Sequence, residues 1–172
     1  MATAPDIDVA IVGAGISGIS MAAHLRMMCP GRSFAVLERR SNIGGTWDLF
    51  RYPGIRSDSD MHTLGFKFEP WIHEKAIADA PAIREYLDRI VHERGIIEHV
   101  RFDTKVQSAN WNSAEAMWHI TVEDNEGWHE VTARFLYLAL SPVLYLLAHR
   151  RTWYILVVHV HLGKASWNGD ER

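Results

Sequence analysis

The sequence predicts an α/β fold that opens with a parallel βαβ unit, and two observations carry this prediction. An apolar run at residues 9–12 breaks into the pattern G-x-G-x-x-G at residues 13–18 and continues as a helix-like segment through Met28. A second apolar run, residues 33–37, ends at Glu38, about 20 residues beyond the last glycine. A glycine turn between strand and helix, followed by a strand that ends on an acidic residue, is typical of a Rossmann-like dinucleotide site. Three glycines alone also occur in ordinary turns.

The glycine pattern has a physical reason at each position. In such sites one glycine permits the tight turn, one lets the backbone approach the pyrophosphate, and one lets the helix pack on the strand. The pyrophosphate then lies at the helix N-terminus, where N–H groups and the helix dipole favour an anion. Apolar side chains at helical spacing predict one face packed on the sheet: Ile16, Ile19, Ala22, Ala23 and Met27.

Composition restricts the class of protein. The 172 residues are 48% hydrophobic and 23% charged, which predicts one globular domain with a core. The net charge of −3 argues against a nucleic-acid partner. Cys29 is the only cysteine, so no internal disulfide is expected. Together with an N-terminus that lacks a signal-peptide pattern, this favours a cytoplasmic location.

Residues 43–60 form the most distinctive stretch, with three glycines, one tryptophan, two arginines and three aspartates but no periodicity. Irregular segments of this content tend to line sites on a rigid scaffold. Glycines 44 and 45 would let backbone N–H groups approach a ligand, and Thr46 adds a hydroxyl. Trp47 either flanks a flat ring or packs in the core.

Four features carry a resemblance to a known family: G-A-G-I-S-G at 13–18, Glu38, G-G-T-W at 44–47 and R-Y-P-G-I-R-S-D-S-D at 51–60. Together they resemble the flavin-containing Baeyer-Villiger monooxygenases, especially the ethionamide-activating type. The resemblance continues, more loosely, to residue 139, so it covers most of the chain. The combination is far more specific than any single motif.

The resemblance implies a FAD site and assigns residues to its parts. The adenosine diphosphate half of FAD would lie on Gly13, Gly15, Ser17, Gly18 and Glu38. The rest of the flavin would lie by Gly45, Thr46, Trp47 and Asp58. A backbone contact to the adenine end would come from Val106. No metal ligand is implied.

Two arginines of the same stretch are candidates for the chemistry. By the resemblance, Arg56 would lie near the nicotinamide nucleotide and is the candidate catalytic residue. Arg51 and Arg56 either stabilise the oxygenated flavin or NADP, or pair as structural residues with Asp58 or Asp60. Asp58 and Asp60 in turn either accept hydrogen bonds from ribityl or ribose hydroxyls or cap the turn that follows.

The reaction that the resemblance implies uses FAD, NADPH and O2. NADPH would reduce the flavin, and oxygen would then be inserted beside the carbonyl of a ketone, or added to sulfur or nitrogen, in a small-molecule substrate. The family's second G-x-G-x-x-G and its F-x-G-x-x-x-H-x-x-x-W fingerprint are not found, so a truncated member is expected. Two alternatives stay open: a catalytically inactive FAD-binding fragment, and a different FAD- or NAD(P)-dependent oxidoreductase, against which G-G-T-W followed by R-Y-P-G argues.

The second half of the sequence predicts one helix and an antiparallel insertion. Asp79 begins the helix and Gly95 ends it. Its buried face is expected to contain Ile83, Tyr86, Leu87, Ile90 and Val91. The predicted strands are 100–102, 105–107, the hairpin 118–122 and 128–133, and a buried strand at 135–139 that rejoins the parallel sheet. We therefore expect a FAD-binding domain at 1–140, with an insertion at about 79–134.

Residues 141–172 depart from the family and are expected to be a divergent tail. Pro142 and the cluster at 149–151 interrupt the apolar runs, which argues against a membrane span. The run at 155–158 either replaces a missing strand or belongs to a tail that was not selected for this fold. His159 and His161 have no third ligand cluster, so no metal site is expected. An incomplete parallel sheet would leave an open edge and favour self-association.

Overall fold

The structure is a computed structural model that describes residues 4–140. The expectations for the tail at 141–172 lie outside the described residues. The elements are β1 Ile7–Val12, α1 Ile16–Met28, β2 Phe34–Leu37, α2 Thr46–Leu49, α3 Met61–Leu64, α4 Ala80–Glu93, a 3₁₀ turn Ile97–His99, β3 Val100–Arg101, β4 Lys105–Asn112, β5 Met117–Asp124 and β6 Gly127–Leu138.

The strands form one six-stranded mixed sheet in the order β3-β2-β1-β6-β5-β4. The first four are parallel, with Val9 beside Phe34 of β2 and Phe135 of β6. β6, β5 and β4 are antiparallel to one another. The predicted α/β class with a βαβ start and an antiparallel addition is confirmed.

β6 differs from the prediction of two separate strands at 128–133 and 135–139. It is one continuous strand that changes partner along its length. Its first part pairs with β5 as far as Ala133, and Ala133 to Leu138 pair with β1. The strand is also less buried than predicted, since Phe135 is 63% exposed. Within residues 4–140, the second part of β6 has β1 as its one strand partner.

The two long helices pack on the sheet through apolar faces. In α1 the buried side is formed by Ile19, Ala22, Ala23 and Leu25, whereas Met27 is 43% exposed. The prediction for Met27 was therefore wrong, because Leu25 takes its place facing the core. α1 and α4 enclose one core cluster with Val9, Ile11 and Val36 of the sheet.

α4 follows its sequence signals closely. The Asp79 side chain accepts a hydrogen bond from the N–H of Ala82 at 3.0 Å, which caps the first turn. At the other end Gly95 has φ +60°, and the N–H of Ile96 donates to the carbonyl of Val91 at 2.8 Å, as in a Schellman motif. All five predicted core positions are buried: Ile83, Tyr86, Leu87, Ile90 and Val91. None of the helices within residues 4–140 is long and apolar enough to cross a membrane.

Candidate functional site

Two glycine turns meet at the carboxyl end of β1. The N–H of Gly44 donates to the carbonyl of Ala14 at 2.9 Å. A Cβ placed on Gly45 would lie only 2.9 Å from the Cα of Gly15, so a side chain there would push the two turns apart. The structure thereby brings together two motifs that are about 30 residues apart in the sequence.

The glycines of the first turn perform distinct tasks. Gly13 has φ +101°, a conformation that other residues rarely adopt. A Cβ on Gly18 would lie 1.9 Å from the carbonyl oxygen of Gly13, so the helix can pack this closely only without a side chain. Gly15 has an ordinary φ of −79° and serves as the N-cap of α1. The backbone conformation at this position therefore does not require a glycine.

The N-terminus of α1 has no side-chain cap. Gly15 offers no side chain to cap the helix, and no acidic residue stands in the first turn. Ser17 is exposed in that turn. Helix N–H groups without a capping carboxylate, at the positive end of the helix dipole, form a site suited to an anion such as a pyrophosphate.

Glu38 lies at the base of the first turn and is 5% exposed. Its Oε2 accepts from the N–H of Ala14 at 2.7 Å, and its Oε1 accepts from the N–H of Arg40 at 3.0 Å. The carbonyl of Glu38 accepts from the N–H of Thr104 at 2.9 Å. Val106, the second residue of β4, thus follows this contact by two residues in the chain, although β4 is an edge strand at the far side of the sheet from β2.

Asp48, beside the second glycine turn, is a buried acidic residue that the sequence analysis did not single out. Its side chain is fully buried and forms ion pairs with Arg40 at 2.7 Å, Arg51 at 3.1 Å and Arg84 at 3.3 Å. One sequence signal for Asp48 exists, since an acidic residue directly follows G-G-T-W. Its three arginine partners come from separate segments, so the ion pairs themselves leave no signal in the sequence. Arg51 pairs with Asp48 and not, as one interpretation had it, with Asp58 or Asp60.

Thr46 and Trp47 form the first residues of α2, after the N-cap Gly45. Thr46 is exposed, whereas Trp47 is half-buried and packs against the core cluster. The core interpretation of Trp47 thus holds for part of its surface. Trp47 lies two residues after Gly45, which contacts Gly15.

Apart from Arg51, which pairs with Asp48, the segment at 51–60 has no side-chain hydrogen bond or ion pair with the glycine turns among residues 4–140. Arg56 and Asp58 are exposed, and Arg56 forms an isolated antiparallel bridge with Asp79. Asp60 instead caps α3, since its side chain accepts from the N–H of Thr63 at 2.9 Å. The hydrogen bonds from Thr63 lower the pKa of the Asp60 carboxyl. The capping interpretation of Asp60 is therefore confirmed.

Among residues 4–140, no group of three or more His, Cys, Asp or Glu side chains is arranged to hold a metal ion. The histidines at 159 and 161 lie outside this range. The chemistry of the described site is that of backbone N–H groups, one buried glutamate and arginines around one buried aspartate. Such groups bind anions and hydroxyls.

Comparison with known proteins agrees with this geometry. Residues 11–90 match the family described as NAD(P)-binding Rossmann-like domain. The chain is 57% identical over 129 residues to the FAD-containing monooxygenase EthA of Mycolicibacterium smegmatis, an alignment that covers 75% of this chain and 26% of that protein. It is 53% identical over 132 residues to EthA of Mycobacterium tuberculosis strain H37Rv, covering 77% of this chain and 27% of the relative. Identity to the probable FAD-binding monooxygenase AlmA of an Acinetobacter species is 51%, over 69% of this chain and 24% of the relative.

Solved structures show the same relationship. The structure of OTEMO in complex with FAD and NADP aligns with a TM-score of 0.70 and 29% identity, covering 81% of this chain and 26% of that one. Oxidised steroid monooxygenase bound to NADP aligns with a TM-score of 0.69 and 32% identity, over 77% of this chain and 26% of that one. The chain spans about a quarter of the length of the relatives it matches.

Proposed function

We propose, from the membership of this chain in the family of FAD-containing monooxygenases of the Baeyer-Villiger type, that residues 4–140 form a FAD-binding domain. The chain corresponds to the N-terminal quarter of these enzymes. The observation that carries the proposal is the meeting of the two glycine turns at the uncapped N-terminus of α1. A ligand with a pyrophosphate and a ribose matches this set of groups.

The residues present fit FAD by their own chemistry. The backbones of Gly15 and Gly45 lie so close together that a Cβ on Gly45 would clash with the Cα of Gly15, and this places the backbones of both turns side by side. Arg40 has a buried Nη1 that finds no hydrogen-bond partner among residues 4–140. Buried donors without a partner are rare in folded proteins, and an anionic or hydroxyl-rich ligand is one way to satisfy such a group.

Within this proposal, each predicted residue has a role. The adenosine diphosphate half is held by the β1–α1 turn and by the carboxylate that ends β2: Gly13, Gly15, Ser17, Gly18 and Glu38. The second turn receives the rest of the flavin through Gly45, Thr46 and Trp47. Val106 follows by two residues the hydrogen bond from Thr104 to Glu38, and this short separation along the chain supports a backbone contact to the adenine end.

Asp58 and Arg56 form a separate part of the proposal. Their exposure suits groups that meet a ligand or another part of a longer protein, rather than groups that stabilise this domain. We assign Asp58 to the flavin and Arg56 to the negative charge that arises in the reaction or to the nicotinamide nucleotide. Both assignments apply to a longer protein that has the full length of these relatives.

For that longer protein we propose a monooxygenase reaction that uses NADPH and O2 on a ketone, or on a sulfur or nitrogen compound. FAD, when bound, supplies the electron transfer and the activation of oxygen. The residues described here bind and orient the cofactor and keep water from its pyrophosphate end. The single cysteine supports a reducing, cytoplasmic location.

The visible spectrum of the purified chain, recorded with FAD and again after anaerobic addition of NADPH, tests the proposal. We expect the flavin bands to sharpen and shift on binding and to stay oxidised with NADPH. Bleaching by NADPH would contradict the assignment of the reductive step to the longer protein. A spectrum identical to that of free FAD, with no retention of flavin on gel filtration, would overturn the proposed FAD site.

A further inference from the structure

Asp48 connects three separate segments of the chain through a single carboxylate. Arg40 comes from the loop after β2, Arg51 from the segment after α2, and Arg84 from the exposed side of α4. The main chain of Asp48 takes part as well, since its carbonyl accepts from Arg40 Nη2 at 3.2 Å and from Arg51 Nε at 3.3 Å. Both the side chain and the backbone of Asp48 are therefore held in place.

The same residue lies directly against the second glycine turn. A Cβ placed on Gly44 would lie 3.3 Å from the Cβ of Asp48 and 3.6 Å from Cγ of Arg84. The N–H of Asp48 donates to the carbonyl of Gly45 at 3.2 Å. Gly45 in turn contacts Gly15 of the first turn. A continuous path of contacts thus runs from α4 through Asp48 to the place where the two turns meet.

The charges of this cluster do not cancel. Three guanidinium groups surround one carboxylate, so the cluster carries an excess of positive charge. Arg40 Nη2 lies 2.7 Å from Asp48 Oδ2, yet this oxygen and Arg40 Nη1 are both buried without an aligned hydrogen-bond partner among residues 4–140. A buried ion pair is a poor source of stability compared with apolar packing. The arrangement of this cluster points instead to a role in holding the segments that it joins in fixed positions.

We propose that Asp48 is a positioning residue for FAD, which holds the turn from Gly44 to Trp47 against Gly15 in the geometry that receives the flavin. This inference rests on the proposed FAD site. Without the carboxylate, three guanidinium groups would repel one another, and the side chains of Arg51 and Arg84, 67% and 44% exposed, would turn to solvent. The second turn would then lose its fixed distance from the first. The first turn, which Gly18 and Glu38 hold separately, would keep its shape.

The variant Asp48→Asn tests this role, because it keeps the side-chain shape and removes the charge. FAD and ADP are titrated in parallel against the full chain by isothermal calorimetry. We expect the Kd for FAD to rise at least about tenfold through lost preorganisation. The Kd for ADP, which engages the first turn alone, should change much less. A general loosening of the fold would weaken both ligands alike.

The matched control is Glu69→Gln, which removes another carboxylate that collects two arginines, Arg89 at 2.7 Å and Arg94 at 2.9 Å. It should lower the melting temperature and leave the Kd for FAD unchanged. If Asp48→Asn does not fold, Arg84→Gln removes one exposed partner, and it should raise the Kd for FAD in the same direction by a smaller factor.

The outcomes separate the two proposals. Equal FAD affinity of the wild type and Asp48→Asn would overturn the positioning role, as would an equal loss of FAD and ADP affinity. If Asp48→Asn does not fold, an unchanged FAD affinity of Arg84→Gln would also overturn the positioning role. Failure of the wild type to bind FAD would instead remove the proposed FAD site, on which this role depends.

Discussion

At the scale of single residues, the glycines of the site separate into two kinds. Gly13 and Gly45 have positive φ values of 101° and 54°, and Gly18 has no room for a side chain. Replacing any of these would disturb the fold itself. Gly15 is different, because its φ is ordinary and a Cβ would make a normal contact of 3.6 Å with the Cα of Gly45. Gly15 is thus a position where ligand binding and folding can be separated.

For this reason we expect Gly15→Ala to weaken FAD binding at least about tenfold while the melting temperature stays close to that of the wild type. The methyl group would occupy the space through which the pyrophosphate approaches the helix N-terminus. Gly31→Ala is the control, since a Cβ at Gly31 has nothing within 4 Å. Flavin fluorescence titration and thermal melts measure the two quantities. If Gly15→Ala binds FAD as tightly as the wild type, the pyrophosphate does not lie against Gly15.

At the scale of elements, the antiparallel hairpin contains a titrating contact of its own. His119 on β5 lies between Glu130 on β6, at 2.8 Å, and Glu115 before β5, at 2.6 Å. The hydrogen bonds that the His119 ring donates to these two carboxylates, that to Glu130 first, raise the pKa of His119 above its ordinary value of 6.5. The protonated ring therefore connects the two strands.

The sign of the resulting pH dependence follows from the raised pKa. The contribution of His119 to stability is fully present below the unfolded pKa of about 6.5 and is lost as the pH rises through the folded value. We expect hydrogen exchange of the β5–β6 amides to accelerate more steeply between pH 6 and 9 in the wild type than in His119→Gln, after correction for intrinsic exchange. His129→Gln, which alters a looser contact with Asp124 at 3.8 Å, is the control. Identical profiles for wild type and His119→Gln would exclude this role.

At the scale of the whole molecule, the described sheet has an open side. β5 leaves β6 after Ala133, so the backbone from Arg134 to Leu138 has hydrogen-bond partners on the β1 side only among residues 4–140. Phe135 and Leu138 in this part are 63% and 37% exposed. An exposed strand edge with apolar side chains favours pairing with another chain.

We accordingly expect the 19.6 kDa chain to sediment as a dimer or larger species at micromolar concentration. Phe135→Lys, which places a charge beside the open edge, should shift the distribution toward the monomer. Trp128→Lys is the matched control, because Trp128 is 66% exposed but lies in the part of β6 that pairs with β5. Sedimentation velocity distinguishes the cases, and a monomeric wild type would rule out association through this edge.

Much of the candidate site was predictable because its signals are local. The glycine pattern, the helix that follows it and the strand that ends at Glu38 are set by neighbouring residues, and all lie where the sequence predicts them. The partners of Asp48 were not predictable in this way. Arg40, Arg51 and Arg84 reach one carboxylate only because the loops and α4 pack together, and pair formation across segments leaves no periodic signal.

The sequence by itself determined the fold class, the βαβ start, both long helices, the caps of α4, and the motifs of a FAD-containing monooxygenase. These depend on short-range spacing, turn chemistry and capping, which each segment carries within itself. Tertiary structure alone decided three further features: the contact between the two glycine turns, the arginines around Asp48, and the course of β6 as one strand with two partners. Each depends on which distant segments lie beside one another, because burial and ion pairing stabilise only residues that are close together in the folded structure.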